Sequence, residues 1–157
     1  MKKRMMVAAV TGFVLVGMIC SAAQANAQDA GHWGPTTDRT ATMTGDITIA
    51  PTRLTISQAK FPLALVRKLT PVEVSAVFDA DIHAGIGGNL YNLYMPPRAY
   101  APSGDPLCGR EGTKWMATYV SGRTLHVAFF SGDEAPAFTF DEIANSTALC
   151  GTYVYKR

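Results

Sequence analysis

The stretch that decides the fold is Lys114-Trp115-Met116-Ala117-Thr118-Tyr119-Val120, then Ser121-Gly122, then Arg123-Thr124-Leu125-His126-Val127-Ala128-Phe129-Phe130. Trp115, Ala117 and Tyr119 fall on one side of the first run; Leu125, Val127 and Phe129 fall on one side of the second. Alternation with a period of two, in runs rich in β-branched and aromatic residues, predicts strands. A Ser-Gly turn between two such runs predicts an antiparallel hairpin.

The same pattern extends in both directions. Upstream, Thr40, Thr42 and Thr44 alternate with Ala41 and Met43, and Ile47-Thr48-Ile49 and Leu54-Thr55-Ile56 alternate again. Gly45-Asp46 and Ala50-Pro51-Thr52-Arg53 separate them as turns, so the region reads as a β-meander. Phe61 to Leu69 places Phe61, Leu63 and Leu65 on one face, with Pro62 at the start or on an edge. Leu90 to Met95 is a strand ended by Pro96-Pro97, and Leu149 to Tyr155 closes the chain with Cys150, Thr152 and Val154 facing one way.

Two helix starts interrupt the strands. In Thr70-Pro71-Val72-Glu73 the Thr can cap, Pro suits the first helical position and Glu can complete a capping box. Thr139-Phe140-Asp141-Glu142 repeats the pattern for a turn or two, up to Asn145. The sum is a mainly β chain: a small antiparallel barrel or sandwich of seven or eight strands with one or two short helices. A β-rich α+β domain is the fallback. The predicted organisation is a leader over 1–27, a loosely ordered polar segment over 28–38 with Trp33 docking on the core, and one β-rich domain over 39–157.

The leader is read from Met1-Lys2-Lys3-Arg4, an uncharged stretch from Met5 to Ile19, and Ala25-Asn26-Ala27. A basic start, an apolar run and an A-x-A site form the pattern of a secretion signal cleaved after Ala27. The apolar run is shorter than the roughly 20 residues a membrane span needs. Cys20 follows Ile19, where a lipoprotein signal places a small residue, so Cys20 is expected to leave with the signal. The expected location is periplasmic or secreted, with no transmembrane segment in the mature part. Without the leader, Lys and Arg fall from 14 to 11 against 12 acidic residues, a net charge of −1 in place of +2. A near-neutral chain lacks the basic field that marks nucleic-acid binders.

Two cysteines remain, Cys108 and Cys150, each in a Leu-Cys-Gly context. An even count in an exported chain predicts a disulfide. Neither C-x-x-C nor a zinc-type Cys/His spacing is present.

Candidate chemistry is sparse. Asp79, Asp81 and His83 offer two carboxylates and an imidazole at alternating positions beside a glycine-rich loop, a donor set suited to a divalent metal, though without a further ligand nearby. Gly85-Ile86-Gly87-Gly88 lacks the strand-then-helix setting of a dinucleotide loop, so these glycines are expected to supply positive φ in a turn. G-x-S-x-G and H-E-x-x-H are both absent, and no cofactor is implied. His126 is expected on the outside of its strand. Tyr91, Tyr94, Tyr100 and Trp115, with Arg98 and Arg110, are the candidate contacts to a ligand or partner, because polar-tipped aromatics and arginines dominate binding surfaces. Asn145-Ser146-Thr147 has the form of a glycosylation acceptor.

The leading expectation is a small exported binding module of the cell envelope. It would meet a protein or small ligand through loops 79–89 and 96–113. A metal-assisted enzyme centred on Asp79, Asp81 and His83 is the second reading, and a structural envelope component the third.

Overall fold

Eight antiparallel strands, each paired with the next in sequence, close into a barrel in which the last strand returns to the first. The computed structural model describes residues 28–97 and 106–157. The predicted leader, Cys20, Arg98 and Tyr100 lie outside the described residues.

The strands are β1 (Gly31–Pro35), β2 (Ile47–Ala50), β3 (Arg53–Ile56), β4 (Ala59–Leu69), β5 (Gly88–Met95), β6 (Thr113–Ser121), β7 (Thr124–Phe130) and β8 (Leu149–Lys156). Three short helices join them: α1 (Asp38–Met43), α2 (Pro71–Phe78) and α3 (Phe140–Ala144). The mainly β expectation, with a barrel as its first form, is what the structure shows.

The deciding hairpin is β6–β7, with Ser121 opposite Thr124. Gly122 has φ 59° and takes the first central position of its two-residue turn, where a type II′ turn needs a positive φ. The β3–β4 turn is built differently. Ser57 and Gln58 both have positive φ, 46° and 74°, without being glycine. Ser57 Oγ donates to the Thr44 carbonyl at 2.8 Å and helps hold the turn. Left-handed non-glycine residues store strain. Gln58→Gly is therefore expected to raise the free energy of unfolding by about 1 kcal/mol, measured by urea denaturation.

The sequence reading needs three corrections here. Gly31–Pro35, inside the segment expected to be loose, forms β1 and pairs with both β2 and β8. Its five residues carry no alternation, and Trp33 alone anchors it, fully buried. Thr40, Thr42 and Thr44 do not form a strand. Thr37 caps α1, its side chain accepting from the Thr40 amide at 3.1 Å. A helix brings positions i and i+4 onto one face, and Thr40 and Thr44 are buried while Thr42 is exposed. Thr44 Oγ1 and Tyr155 Oη are 2.7 Å apart, which fixes α1 across one barrel end. Leu65 shares the strand parity of Phe61 and Leu63 but is 48% exposed, because it lies past the last pairing of β4 with β3 and beside a bulge between Leu65 and Arg67.

Side chains fill the interior. Trp33, Ile47, Ile49, Leu54, Ile56, Phe61, Leu63, Leu93, Met116, Leu125, Val127, Phe129, Tyr153 and Tyr155 pack in one cluster. An eight-stranded barrel is just wide enough for this. A second cluster lies on the outer wall, where α2 and the segment before α3 cover β5–β7. Val74, Val77 and Phe138 meet Leu90, Ala117, Ala128 and Phe130 there. Ala117 and Tyr119, with Trp115 partly buried beside them, therefore face the covered outer wall, while Leu125, Val127 and Phe129 face the interior.

The α2 start is built as its sequence predicts. The Thr70 side chain accepts from the Glu73 amide at 3.3 Å, and the Glu73 carboxylate accepts from the Thr70 amide at 2.8 Å. Arg67 reaches the same carboxylate from β4 at 2.7 and 3.0 Å and stacks over Phe138. The Arg67 hydrogen bonds, more than the capping amide, hold the Glu73 pKa down at about 2, against an ordinary 4.5. A carboxylate with a depressed folded-state pKa stabilises fully above its unfolded pKa and loses that contribution as pH falls through the folded value. Loss of the Glu73 contribution is expected between pH 4.5 and about 2. A Glu73→Gln variant followed by acid titration should lack this component of the acid transition.

Cys108 and Cys150 are disulfide-bonded, with Cα atoms 5.1 Å apart. The bond ties the approach to β6 to the start of β8, at the end of the barrel away from Gly31. Asn145 and Ser146, in the glycosylation-type triplet, serve local structure. Asn145 Nδ2 donates to the Asp141 carbonyl, and Ser146 Oγ accepts from the Ala148 and Leu149 amides.

Candidate functional site

At the barrel end where β1, β5 and β7 begin, the chain places an acidic residue inside. Asp29, two residues before β1, is 1% exposed. Its carboxylate accepts from Asn89 Nδ2 at 2.9 Å, from Tyr91 Oη at 3.0 Å and from the Thr118 hydroxyl. Strand alternation supplies these donors. Asn89 and Tyr91 are both inward positions of β5, and Thr118 is the inward position of β6 between Met116 and Val120. Trp33 Nε1 donates to the Asp29 backbone carbonyl at 2.8 Å, and Arg157 closes over the Trp33 ring at 4.2 Å. Arg157 also donates to the Ala30 and Gln28 carbonyls at 3.1 and 3.2 Å.

Burial pushes the Tyr91 hydroxyl well above its ordinary pKa, and the adjacent Asp29 charge adds to the shift. Tyr91 is therefore a donor in this cluster at any physiological pH. One atom remains unmatched: Asn89 Oδ1 is buried without a hydrogen-bond partner. Buried acceptors of this kind are uncommon in native structures.

A recess of about 410 Å³ opens beside the cluster, lined by Gln28, Asp29, Lys68, Leu69, Gly87, Gly88, Asn89, Tyr119 and Val120. Gly87 and Gly88 shape its wall, though not by positive φ as the sequence suggested. Among the three loop glycines only Gly85 has it, at 66°. A Cβ on Gly87 would lie 2.9 Å from the Leu69 carbonyl oxygen, and one on Gly88 would run into the Thr118 carbonyl. These two glycines let neighbouring backbones approach closely.

The residues singled out from the sequence are dispersed. Tyr91 is in the buried cluster, 3% exposed. Tyr94 is 57% exposed on the outer wall of β5. Trp115 is half-buried, its Nε1 donating to the Gly132 carbonyl at 3.1 Å. Arg110 is exposed in a short 3-10 turn, Gly109–Glu111, near the disulfide. Asp79 caps the end of α2 in the left-handed conformation, φ 53°, and Asp81 caps the 3-10 turn Ile82–Ala84 by accepting from the His83 amide at 2.9 Å. Asp79, Asp81 and His83 are all exposed. Among the described residues no group of three or more His, Cys, Asp or Glu side chains could hold a metal ion. His126 sits on the outer wall, its ring stacked on Tyr119 at 4.4 Å, and burial lowers its pKa.

Asp29, Asn89 and Thr118 were not singled out from the sequence. Asp29 fell in a segment read as loose. Asn89 lies two before Tyr91, so the alternation of β5 carried a signal that a polar side chain points inward. Thr118 was visible in the same way, opposite in parity to Trp115, Ala117 and Tyr119.

No family model, curated protein or solved structure matches this chain. Fold and site thus define only a class, a closed eight-stranded antiparallel barrel with a filled interior and a polar cluster under one mouth. Among the described residues no helix is long and apolar enough to cross a membrane.

Proposed function

We propose that this chain is a small exported binding module that takes a small ligand at the barrel mouth, beside loop 79–89. One observation carries the reading: Asp29, with a buried carboxylate, and Asn89, with a buried amide oxygen that has no partner, both line a recess of about 410 Å³. A few convergent polar groups in a concave site of this size are the usual features of a ligand pocket. The packed interior supports a site at the mouth over one in the lumen. Export is supported by the signal-type pattern of residues 1–27 and by the Cys108–Cys150 bond, which suits an oxidising compartment.

The test is thermal denaturation of the purified protein against a panel of small polar compounds, repeated on Asn89→Leu and Tyr94→Ala. A ligand at about 100 times its Kd stabilises by about 2.7 kcal/mol, a readable rise in Tm. The expected result is a rise that Asn89→Leu abolishes and Tyr94→Ala keeps. A rise lost only in Tyr94→Ala would move the contact to the outer wall. No rise with any compound would sink the reading.

A further inference from the structure

We propose that the recess at the barrel mouth binds a small zwitterion of the amino-acid class, with its ammonium toward Asp29 and Asn89 and its carboxylate toward Lys68. This rests on the mouth being a ligand site and names the compounds it takes.

The Asp29 cluster holds no positive charge and leaves one acceptor unmatched. A carboxylate offers about four acceptor positions. Those of Asp29 meet three donor groups, Asn89 Nδ2, Tyr91 Oη and the Thr118 hydroxyl, all of them neutral. Among the described residues Asp29 forms no ion pair. Asn89, 5% exposed, leaves its Oδ1 without a donor. An ammonium carries three donors, a full positive charge and no acceptor. It would satisfy the amide oxygen and neutralise the buried carboxylate together. A water molecule would do only the first, and an anion would be repelled.

The rim has the opposite character. Lys68 lines the same recess and is exposed, so its ammonium stays hydrated at the edge. It attracts an anionic group on the outer part of a ligand and disfavours a second positive charge there. A polyamine meets this repulsion; an amino acid presents one charge of each sign at the matching ends. The recess, about 410 Å³, has room for such a molecule. Packing of Gly87 and Gly88 against the Leu69 and Thr118 carbonyls gives the wall little freedom to widen for a larger one.

The experiment is an NMR titration of the ¹⁵N-labelled protein, following the Asn89 side-chain amide and the backbone amides of Gly88 and Thr118. The probes are glycine, L-alanine, methylammonium, acetate and spermidine. The expected result is saturable shifts with the amino acids, and affinities about tenfold or more weaker for methylammonium and acetate. Lys68→Ala should weaken amino-acid binding about tenfold and leave methylammonium unchanged. Lys68 is exposed, so this variant tests the proposal even where Asn89→Leu fails to fold. Methylammonium or spermidine binding as tightly as the amino acids would overturn the zwitterion assignment and leave the mouth as a site. Silence of these resonances to every probe would overturn both.

Discussion

Trp33→Ala is expected to lower the free energy of unfolding by about 3–5 kcal/mol, the range for deleting a fully packed aromatic side chain. Trp33 is the one buried residue of β1. Its ring fills the core, its Nε1 holds the Asp29 carbonyl, and its face carries the Arg157 guanidinium. β1 is short and pairs with β2 and β8 through only a few residues. Without the ring, little holds the strand that closes the barrel. Arg157→Ala should cost less, about 1–2 kcal/mol, because it removes the cation–π contact and two hydrogen bonds while the ring stays packed. Urea denaturation of both variants checks the order. Equal losses would mean that the clasp, and not the packed ring, holds β1.

Reduction of Cys108–Cys150 is expected to cost about 4 kcal/mol, from the loss of a constraint on an unfolded loop of about 43 residues. For a chain of this length that is a fall in Tm of about 8–16 °C. The bond joins the approach to β6 to the start of β8, far from Asp29, so the affinity of the proposed mouth site should be unchanged below the new Tm. Melting curves with and without reductant measure the first effect, and ligand titration of the reduced protein measures the second. Loss of affinity on reduction would show that the two ends of the barrel are coupled.

The parts of this fold that the sequence revealed are those where local chemistry and tertiary environment agree. β6, β7 and the start of α2 belong here: alternation, a Gly-containing turn and a capping box each have a direct structural counterpart. The misreadings have two physical sources. In Thr40–Thr44, β-branched residues suggested a strand, but the Thr37 cap and the burial of Thr40 and Thr44 on one helical face prevailed. In β1, the strand exists only because β2 and β8 flank it, and no local pattern announces partners so distant in sequence. The site was hidden for a related reason. Asp29 becomes significant only when β5 and β6 bring Asn89, Tyr91 and Thr118 beneath it. The Asp79-Ala80-Asp81-Ile82-His83 run, conspicuous in sequence, has its carboxylates at the ends of two short helical segments, with Asp81 bound to backbone.

The Arg157 clasp has a topological consequence. Its side chain reaches the Gln28 carbonyl at 3.2 Å, so the first and last described residues meet at one edge of the mouth. With each strand hydrogen-bonded to its sequence neighbours and β8 to β1, the chain from 28 to 157 is nearly a ring. A short linker across this seam would complete it. The chain could then be opened instead at the Pro51-Thr52 turn, a circular permutation that keeps every strand pairing.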